Sequence, residues 1–229
     1  MTNKLKQLTW AHHQAAERRK FAKQLISGGI DPFVYYKFLN CQYLVYEVLE
    51  SLVIIPPHLT NILRAPRILQ DIEELGEIYG FDDVDHYPES VSRCINHMHS
   101  LAEADDNDGL LSHMYVRHFG ELHGGQIIKA KTPGKGEMYE FEGDKKVMIE
   151  EFRTLLHDGM EVEAKRCFDF ASELFDELSK LKSSNNNTID TMLLSIICRK
   201  FSSSDIELLV GRINKWSGQI DSESVCFNI

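Results

Sequence analysis

The sequence predicts an all-α protein, a single-domain helical bundle with a short C-terminal helical extension. Apolar residues recur at helical spacing along most of the 229 residues, and the alternation that is typical of strands is nearly absent. The hydrophobic fraction of 43% is sufficient for one sizeable core. We therefore expect a bundle domain over residues 1–182, and a polar joint with a helical extension over residues 183–229.

Helix-terminating residues divide the first half of the chain. A first helix is expected from about Lys4 to Ser27, because Gly28 and Gly29 follow it and glycine commonly ends helices. Asp31 and Pro32 have the order of an N-cap and a first helical residue, so a second helix begins there. Prolines and loop residues set the next boundaries. The second helix ends before Pro56, and the third runs from near Pro66 to Tyr79. The fourth helix covers about 88–104.

The second half is predicted to hold two long helices separated by a loop. The first covers about Leu110 to Lys131 and contains an unusual cluster of glycines. A non-helical stretch of about ten residues follows, and an amphipathic helix then runs from about Asp144 to Lys182. Two short helices are expected in the extension, at about 189–201 and 205–217.

Composition excludes several classes of protein. The net charge of −10 argues against a nucleic-acid partner, and no apolar run approaches the ~18 residues of a membrane span. The N-terminus has no signal-peptide core, and the five scattered cysteines are typical of reduced thiols. We therefore expect a cytoplasmic monomer without a membrane span.

The first 23 residues are basic although the whole chain is acidic. They contain six lysines and arginines against the single acidic residue Glu17. A basic segment of this kind indicates either an anionic ligand or acidic partner nearby, or only a solvated helix face.

One histidine in this basic segment has a carboxylate one turn away. His13 and Glu17 are four residues apart, so their side chains share a helix face. A carboxylate that hydrogen-bonds one ring nitrogen leaves the other nitrogen available to a metal ion. The same spacing also occurs in exposed pairs that only stabilise a helix.

Three glycines interrupt the helix predicted over 110–131. Gly120, Gly124 and Gly125 each cost roughly 0.5–1 kcal/mol relative to alanine, so a compensating role is expected. They allow either close packing against another helix or close approach of the backbone to a flat ligand.

Taken together, these segments resemble the heme oxygenase family. The stretch from His13 to Glu17, with Phe21, is similar to the family's proximal helix, and the stretch from His113 to Gln126 is similar to its distal helix. The resemblance covers roughly residues 4–180 in the family's order. It implies a heme-oxygenase-like helical bundle that holds heme between the two helices.

The resemblance also implies the chemistry. Heme b is both the cofactor and the substrate, and O2 with electrons from an external donor opens its ring to biliverdin, carbon monoxide and ferrous iron. No flavin or dinucleotide fingerprint is present, so a ferredoxin or a reductase is the expected electron donor.

Site residues follow from positions that match the family. His13 is the implied iron ligand, and Glu17 is its hydrogen-bond partner. The other implied positions are Gly120, Gly124, Tyr115, Arg117 and Glu121 as distal catalytic residues, Lys6 and Arg153 for the propionates, and Phe168, Gly125 and His123 around the ring.

Two departures from the family leave alternatives open. Glu121 stands where aspartate is usual, and His123 replaces a small residue and could act as a sixth iron ligand. The chain could therefore be a heme-binding or heme-buffering protein with weak or peroxidase-like turnover. A non-heme, thiaminase-like hydrolase would need a catalytic cysteine, and no cysteine here has a supporting motif.

Overall fold

A computed structural model describes residues 2–82 and 86–181, with side chains from Lys4 onward. Within these ranges the chain forms α-helices and no strand, which confirms the all-α prediction. The domain boundary expected at 182/183 and the helices expected at 189–201 and 205–217 lie outside the described residues. The described residues form eight α-helices: α1 Thr2–Glu17, α2 Lys20–Ser27, α3 Pro32–Leu52, α4 Ala65–Tyr79, α5 Glu89–Glu103, α6 Asn107–Lys129, α7 Lys145–Arg153 and α8 Glu161–Leu178.

The chain divides into two compact units. The larger contains residues 1–75 and 83–183, and the smaller contains 76–82 and 184–229. Of the smaller unit the structure describes residues 76–82, where the rings of Tyr79 and Phe81 stack with centroids 5.4 Å apart. The described part of the chain has no helix that is long and apolar enough to cross a membrane.

The predicted cap at the start of α3 is confirmed. The Asp31 side chain accepts hydrogen bonds from the backbone N–H groups of Phe33 and Val34, at 2.9 and 3.2 Å. Gly28 follows α2 with φ 81°, in the left-handed region that favours glycine. These two residues fix where the chain leaves α2 and enters α3.

Two predicted helices are each interrupted. The helix expected over Lys4–Ser27 breaks at Arg19, whose backbone is extended and whose guanidinium pairs with Asp176 at 2.8 Å. The helix expected over Asp144–Lys182 breaks between α7 and α8, where His157 is extended and the 3-10 turn Asp158–Met160 follows. The ion pair of Arg19 accompanies the first break, and the extended backbone of His157 accompanies the second. At both places the helix ends although the apolar periodicity of the sequence continues.

Helix α8 organises the larger unit. Helices α1, α2, α5 and α6 all pack on it, and α3 packs on α5. An aromatic cluster closes one part of the core, with the ring centroid of Phe21 5.1 Å from that of Phe38 and 5.4 Å from that of Phe175. Because α1 and α6 both rest on α8, the residues singled out on these two helices lie around a common support.

Candidate functional site

His13 is held on α1 with one ring nitrogen shielded. Its ring stacks on Trp10 at a centroid distance of 5.3 Å, and Phe168 of α8 meets it edge-on at 5.7 Å. Nδ1 is buried 3.5 Å from a Glu17 carboxylate oxygen and has no hydrogen bond to the described residues. The side chain is 38% exposed, so part of the ring is open to solvent. This is the arrangement expected of an imidazole that offers Nε2 to a ligand.

His12 has different surroundings from His13. Its Nε2 lies 3.9 Å from the Asp169 carboxylate on α8, so this ring is directed to the neighbouring helix. Adjacent positions on a helix point about 100° apart, which separates the two rings. His12 therefore provides a natural comparison for any role of His13.

Two of the three α6 glycines border open space. A Cβ atom built on Gly120 or on Gly124 would meet no atom within 4 Å, so tight helix packing does not explain them. Gly125 is different, because a Cβ there would lie 2.9 Å from the Tyr139 ring. Gly125 is therefore required by packing against the 3-10 turn Glu137–Tyr139, and the open face belongs to Gly120 and Gly124.

His123 lies on the same side of α6 as these two glycines. Positions 120, 123 and 124 fall within an arc of about 100° at 3.6 residues per turn. His123 is exposed, and its Nδ1 lies 2.9 Å from the backbone oxygen of Phe119. Because a carbonyl oxygen only accepts hydrogen bonds, Nδ1 is the donor, which leaves Nε2 as the ring nitrogen that can bind a ligand.

Glu121 is turned away from the open face and into the core. The Tyr46 hydroxyl donates a hydrogen bond to its Oε1, and its Oε2 has no hydrogen bond to the described residues. Burial raises the pKa of Glu121 to about 8, with a further increase from Glu50, although Tyr46, Arg64 and Arg117 oppose the increase. Near neutral pH this side chain therefore holds a proton.

Arg117 and Tyr115, the other two side chains that were expected on the distal side, make different contacts. Arg117 donates to Gln42 Oε1 at 3.2 Å and to Cys94 Sγ at 3.4 Å, which directs its guanidinium toward α3 and α5. Burial raises the pKa of Tyr115, and a hydrogen bond with Thr9 of α1 opposes that increase. Tyr115 thus links α6 to α1, and Arg117 links α6 to the core.

Lys6 and Arg153 are the two basic residues that the resemblance assigns to the heme propionates. Neither side chain forms an ion pair with a carboxylate of the described residues. Lys6 is exposed, with its Nζ 5.9 Å from the centre of the Trp10 ring. Arg153, in the last turn of α7, is also exposed, and its charge acts on Tyr115. Within the part of the chain that the structure describes, neither positive charge is therefore neutralised by a carboxylate.

Two features of the site were not predicted from sequence. Tyr46 was not singled out from the sequence, yet it is the hydrogen-bond partner of Glu121. The second feature is a buried contact of His113 with Glu163, whose Nε2 and Oε1 are 2.9 Å apart. The helical spacing of tyrosines on α3 could have indicated Tyr46, whereas no local spacing indicates a contact between separate helices.

These features define an all-helical protein with an available imidazole on its first helix and an open glycine face on a later helix. The family model described as heme oxygenase matches residues 1–177. The chain therefore belongs to the heme oxygenase family, which is a family of enzymes.

Curated relatives and solved structures agree with this assignment. The heme oxygenase of Porphyra purpurea is 25% identical, with 88% of this chain and 94% of that protein covered, and that of Pyropia yezoensis is 26% identical with 88% and 93% covered. The structure of heme oxygenase from Leptospira interrogans is 25% identical with a TM-score of 0.66, covering 76% of this chain and 97% of that chain. Heme oxygenase-1 from Synechocystis sp. PCC6803 in complex with heme shares the fold, at 21% identity and a TM-score of 0.67, with 85% and 96% covered.

Proposed function

We propose that this protein binds heme and, with O2 and electrons from an external donor, cleaves it to biliverdin, carbon monoxide and ferrous iron. The observation that carries the proposal is the state of His13, whose Nδ1 is shielded beside Glu17 while part of the ring is open to solvent. Family membership supports the same conclusion. Bound heme supplies both the iron that activates O2 and the ring that is opened.

His13 is the proposed iron ligand. A neutral imidazole coordinates iron through one nitrogen, and a carboxylate at the other nitrogen increases the ring's basicity. Trp10 and Phe168 hold the ring on two sides, so the imidazole is already oriented before the ligand arrives. Glu17 therefore acts as a positioning residue for His13.

We propose that Gly120 and Gly124 border a flat ligand on the side opposite that imidazole. Open space at both positions allows the α6 backbone to approach a planar ring without a Cβ clash. We propose that Lys6 and Arg153, which are both exposed, pair with the ring's propionates and that Phe168 forms an aromatic wall beside His13. Charge, shape and ligand chemistry thus agree with an anionic iron porphyrin.

Glu121 is the proposed proton-holding group of the distal side. Its raised pKa keeps it protonated near neutrality, and the Tyr46 hydrogen bond fixes one of its oxygens. Arg117 orders the same region from the core, through Gln42 and Cys94. We propose that Glu121, with one methylene more than the family's usual aspartate, delivers protons from this buried position.

A second candidate function is heme binding with slow turnover, and His123 is the observation that favours it. Its Nδ1–H donates to Phe119, so Nε2 is free on the face that Gly120 and Gly124 share. An imidazole on this face competes with O2 for the iron. The two candidates therefore differ in whether His123 stays on the iron after reduction.

The proposed electron donor is a ferredoxin or a reductase with an acidic surface. Arg18, Lys20 and Lys23 are exposed and make no ion pair with the described residues, whereas Arg19 is committed to Asp176. Opposite charges guide such encounters and make them sensitive to salt. Arg18 and Lys20 are therefore better positions for charge reversal than Arg19.

Product analysis tests the proposed function. The hemin-loaded chain is reduced under air with a reductase system, and the pigment and the gas are identified. Biliverdin together with carbon monoxide is the expected result. Bound heme that survives reduction supports the heme-binding candidate, and no heme binding at all refutes both.

A further inference from the structure

Three potential metal ligands meet where α5, α6 and α8 come together. His97, His113 and Glu163 each present one ligand atom, and these atoms all lie within 4.8 Å of one another. The Nε2 atom of His97 is 2.7 Å from Glu163 Oε1, and that of His113 is 2.9 Å from the same oxygen. Two imidazoles from separate helices thus converge on one carboxylate.

The cluster is largely buried, and an aromatic ring packs against it. His113 is fully buried, and the side chains of His97 and Glu163 are 20% and 15% exposed. The Phe170 ring packs beside both imidazoles, with centroid distances of 5.9 Å to His97 and 6.4 Å to His113. Side chains that packing holds in place lose little freedom when they bind an ion.

The charges in the cluster suit a cation. Burial lowers the pKa of His113, which keeps its imidazole neutral, as a metal ligand must be. Burial alone would raise the pKa of Glu163, but the hydrogen bonds from His113 and His97 outweigh that effect and lower it. The set therefore combines the neutral imidazole of His113, the second imidazole of His97 and the carboxylate of Glu163.

We propose that His97, His113 and Glu163 form a binding site for a first-row divalent cation of borderline softness, such as Zn²⁺ or Fe²⁺. Two imidazoles and a carboxylate are a ligand set that both ions use, with remaining positions left for water. The site is distinct from His13 and the α6 glycine face, so it is independent of the proposed reaction.

Arg166 places a positive charge beside the cluster. Its guanidinium lies 3.2 Å from His97 Nε2 and 3.6 Å from Glu163 Oε2. The side chain is 48% exposed, so it can move into solvent when an ion enters. Arg117 is a second positive charge acting on His113, and it is fixed in the core by Gln42 and Cys94. When a metal ion binds, its positive charge therefore replaces that of the Arg166 guanidinium beside His97 and Glu163.

A bound ion would join three helices. His97 is on α5, His113 on α6 and Glu163 on α8, so the ion links the glycine-bearing helix to the helix that supports α1. Because only the folded chain brings these residues together, the ion stabilises the folded state by mass action. We expect the thermal midpoint to rise as zinc is added.

Zinc titration of the full, heme-free chain tests the site. Isothermal calorimetry with ZnCl2 should show one tight site, which loses about tenfold or more in affinity in His97→Gln and in Glu163→Gln. Arg166→Gln should tighten binding by about threefold or more, because it removes a competing charge. The control is His99→Gln on the exposed face of α5, which should bind zinc as the unaltered chain does.

The variants give clear contrary outcomes. Zinc isotherms that are the same in His97→Gln, Glu163→Gln and the unaltered chain would assign any binding to other surface histidines and overturn the proposal. Weaker zinc binding in Arg166→Gln would also overturn it. His97→Gln is the main variant because His97 is partly exposed, and circular dichroism checks that it folds.

Discussion

The hydroxyl of Tyr46 donates a hydrogen bond to the buried carboxyl group of Glu121, joining α3 to α6. Both side chains are almost completely shielded from water. The bond fixes one oxygen of a carboxyl group whose pKa burial raises to about 8. This relationship couples the protonation of Glu121 to the stability of the fold and to the proposed chemistry.

Glu121 should make the protein less stable as pH rises through neutrality. Its folded-state pKa of about 8 exceeds the ordinary value of 4.5, so between these values the folded chain binds more protons than the unfolded chain. The stabilising contribution is complete below about pH 4.5 and lost as pH rises through about 8. Urea unfolding across this range should show a decline that Glu121→Gln reduces. An unchanged decline in Glu121→Gln, with Glu47→Gln as the exposed control, would contradict the assignment.

Tyr46→Phe should cost about 1–3 kcal/mol of unfolding free energy, because it leaves a buried carboxyl group without its donor. Tyr43→Phe is the matched control on the same helix, since Tyr43 bonds the exposed Glu47 at 3.0 Å. Denaturant titration of the two variants measures the contrast. Equal losses of unfolding free energy in the two variants would mean that the hydrogen bond from Tyr46 to Glu121 stabilises the fold no more than the exposed one does.

The α6 glycines should respond to alanine in opposite ways. Gly120→Ala and Gly124→Ala should leave the heme-free chain as stable as before or about 0.5–1 kcal/mol more stable, because nothing opposes the new methyl group. The same variants should bind hemin more weakly. Gly125→Ala should destabilise the chain by about 1–3 kcal/mol through its contact with Tyr139. Thermal melts and hemin titrations separate the two effects, and equal hemin affinity in all three variants would argue against an open ligand face.

His123 should change the spin state of bound ferric heme. With Nδ1 donating to Phe119, its Nε2 is available as a ligand, so the complex should contain a low-spin component near neutral pH. His123→Ala should remove that component and leave high-spin heme, as judged by absorption and electron paramagnetic resonance spectra. His157→Ala, at an exposed pair with Asp108, is the control. Identical spectra for His123→Ala and the unaltered chain would exclude the ligand role.

Local sequence signals predicted the elements that depend on local physics. The cap formed by Asp31 and the end of α2 at Gly28 were correct because each depends on neighbouring residues alone. The continuous helix expected over Lys4–Ser27 was wrong because Arg19 leaves helical geometry to pair with Asp176, 157 residues away. Hydrophobic periodicity contains no information about such a partner.

The candidate site shows the same division. The spacing of His13 and Glu17 predicted a pair that the structure places 3.5 Å apart. Sequence alone grouped Gly125 with Gly120 and Gly124, whereas packing separates them. The cluster of His97 and His113 on Glu163 was missed because the histidines precede Glu163 by 66 and 50 residues, so only the bundle brings them together.

The most direct test of the heme site is the absorption spectrum of the hemin complex in two adjacent histidine variants. His13→Ala should weaken or shift the Soret band, and added imidazole should restore it, because Nε2 of His13 is the proposed iron ligand. His12→Ala should give a spectrum close to that of the unaltered chain, since His12 is directed toward Asp169. An unchanged Soret band in His13→Ala would contradict the proposed coordination of heme by this protein.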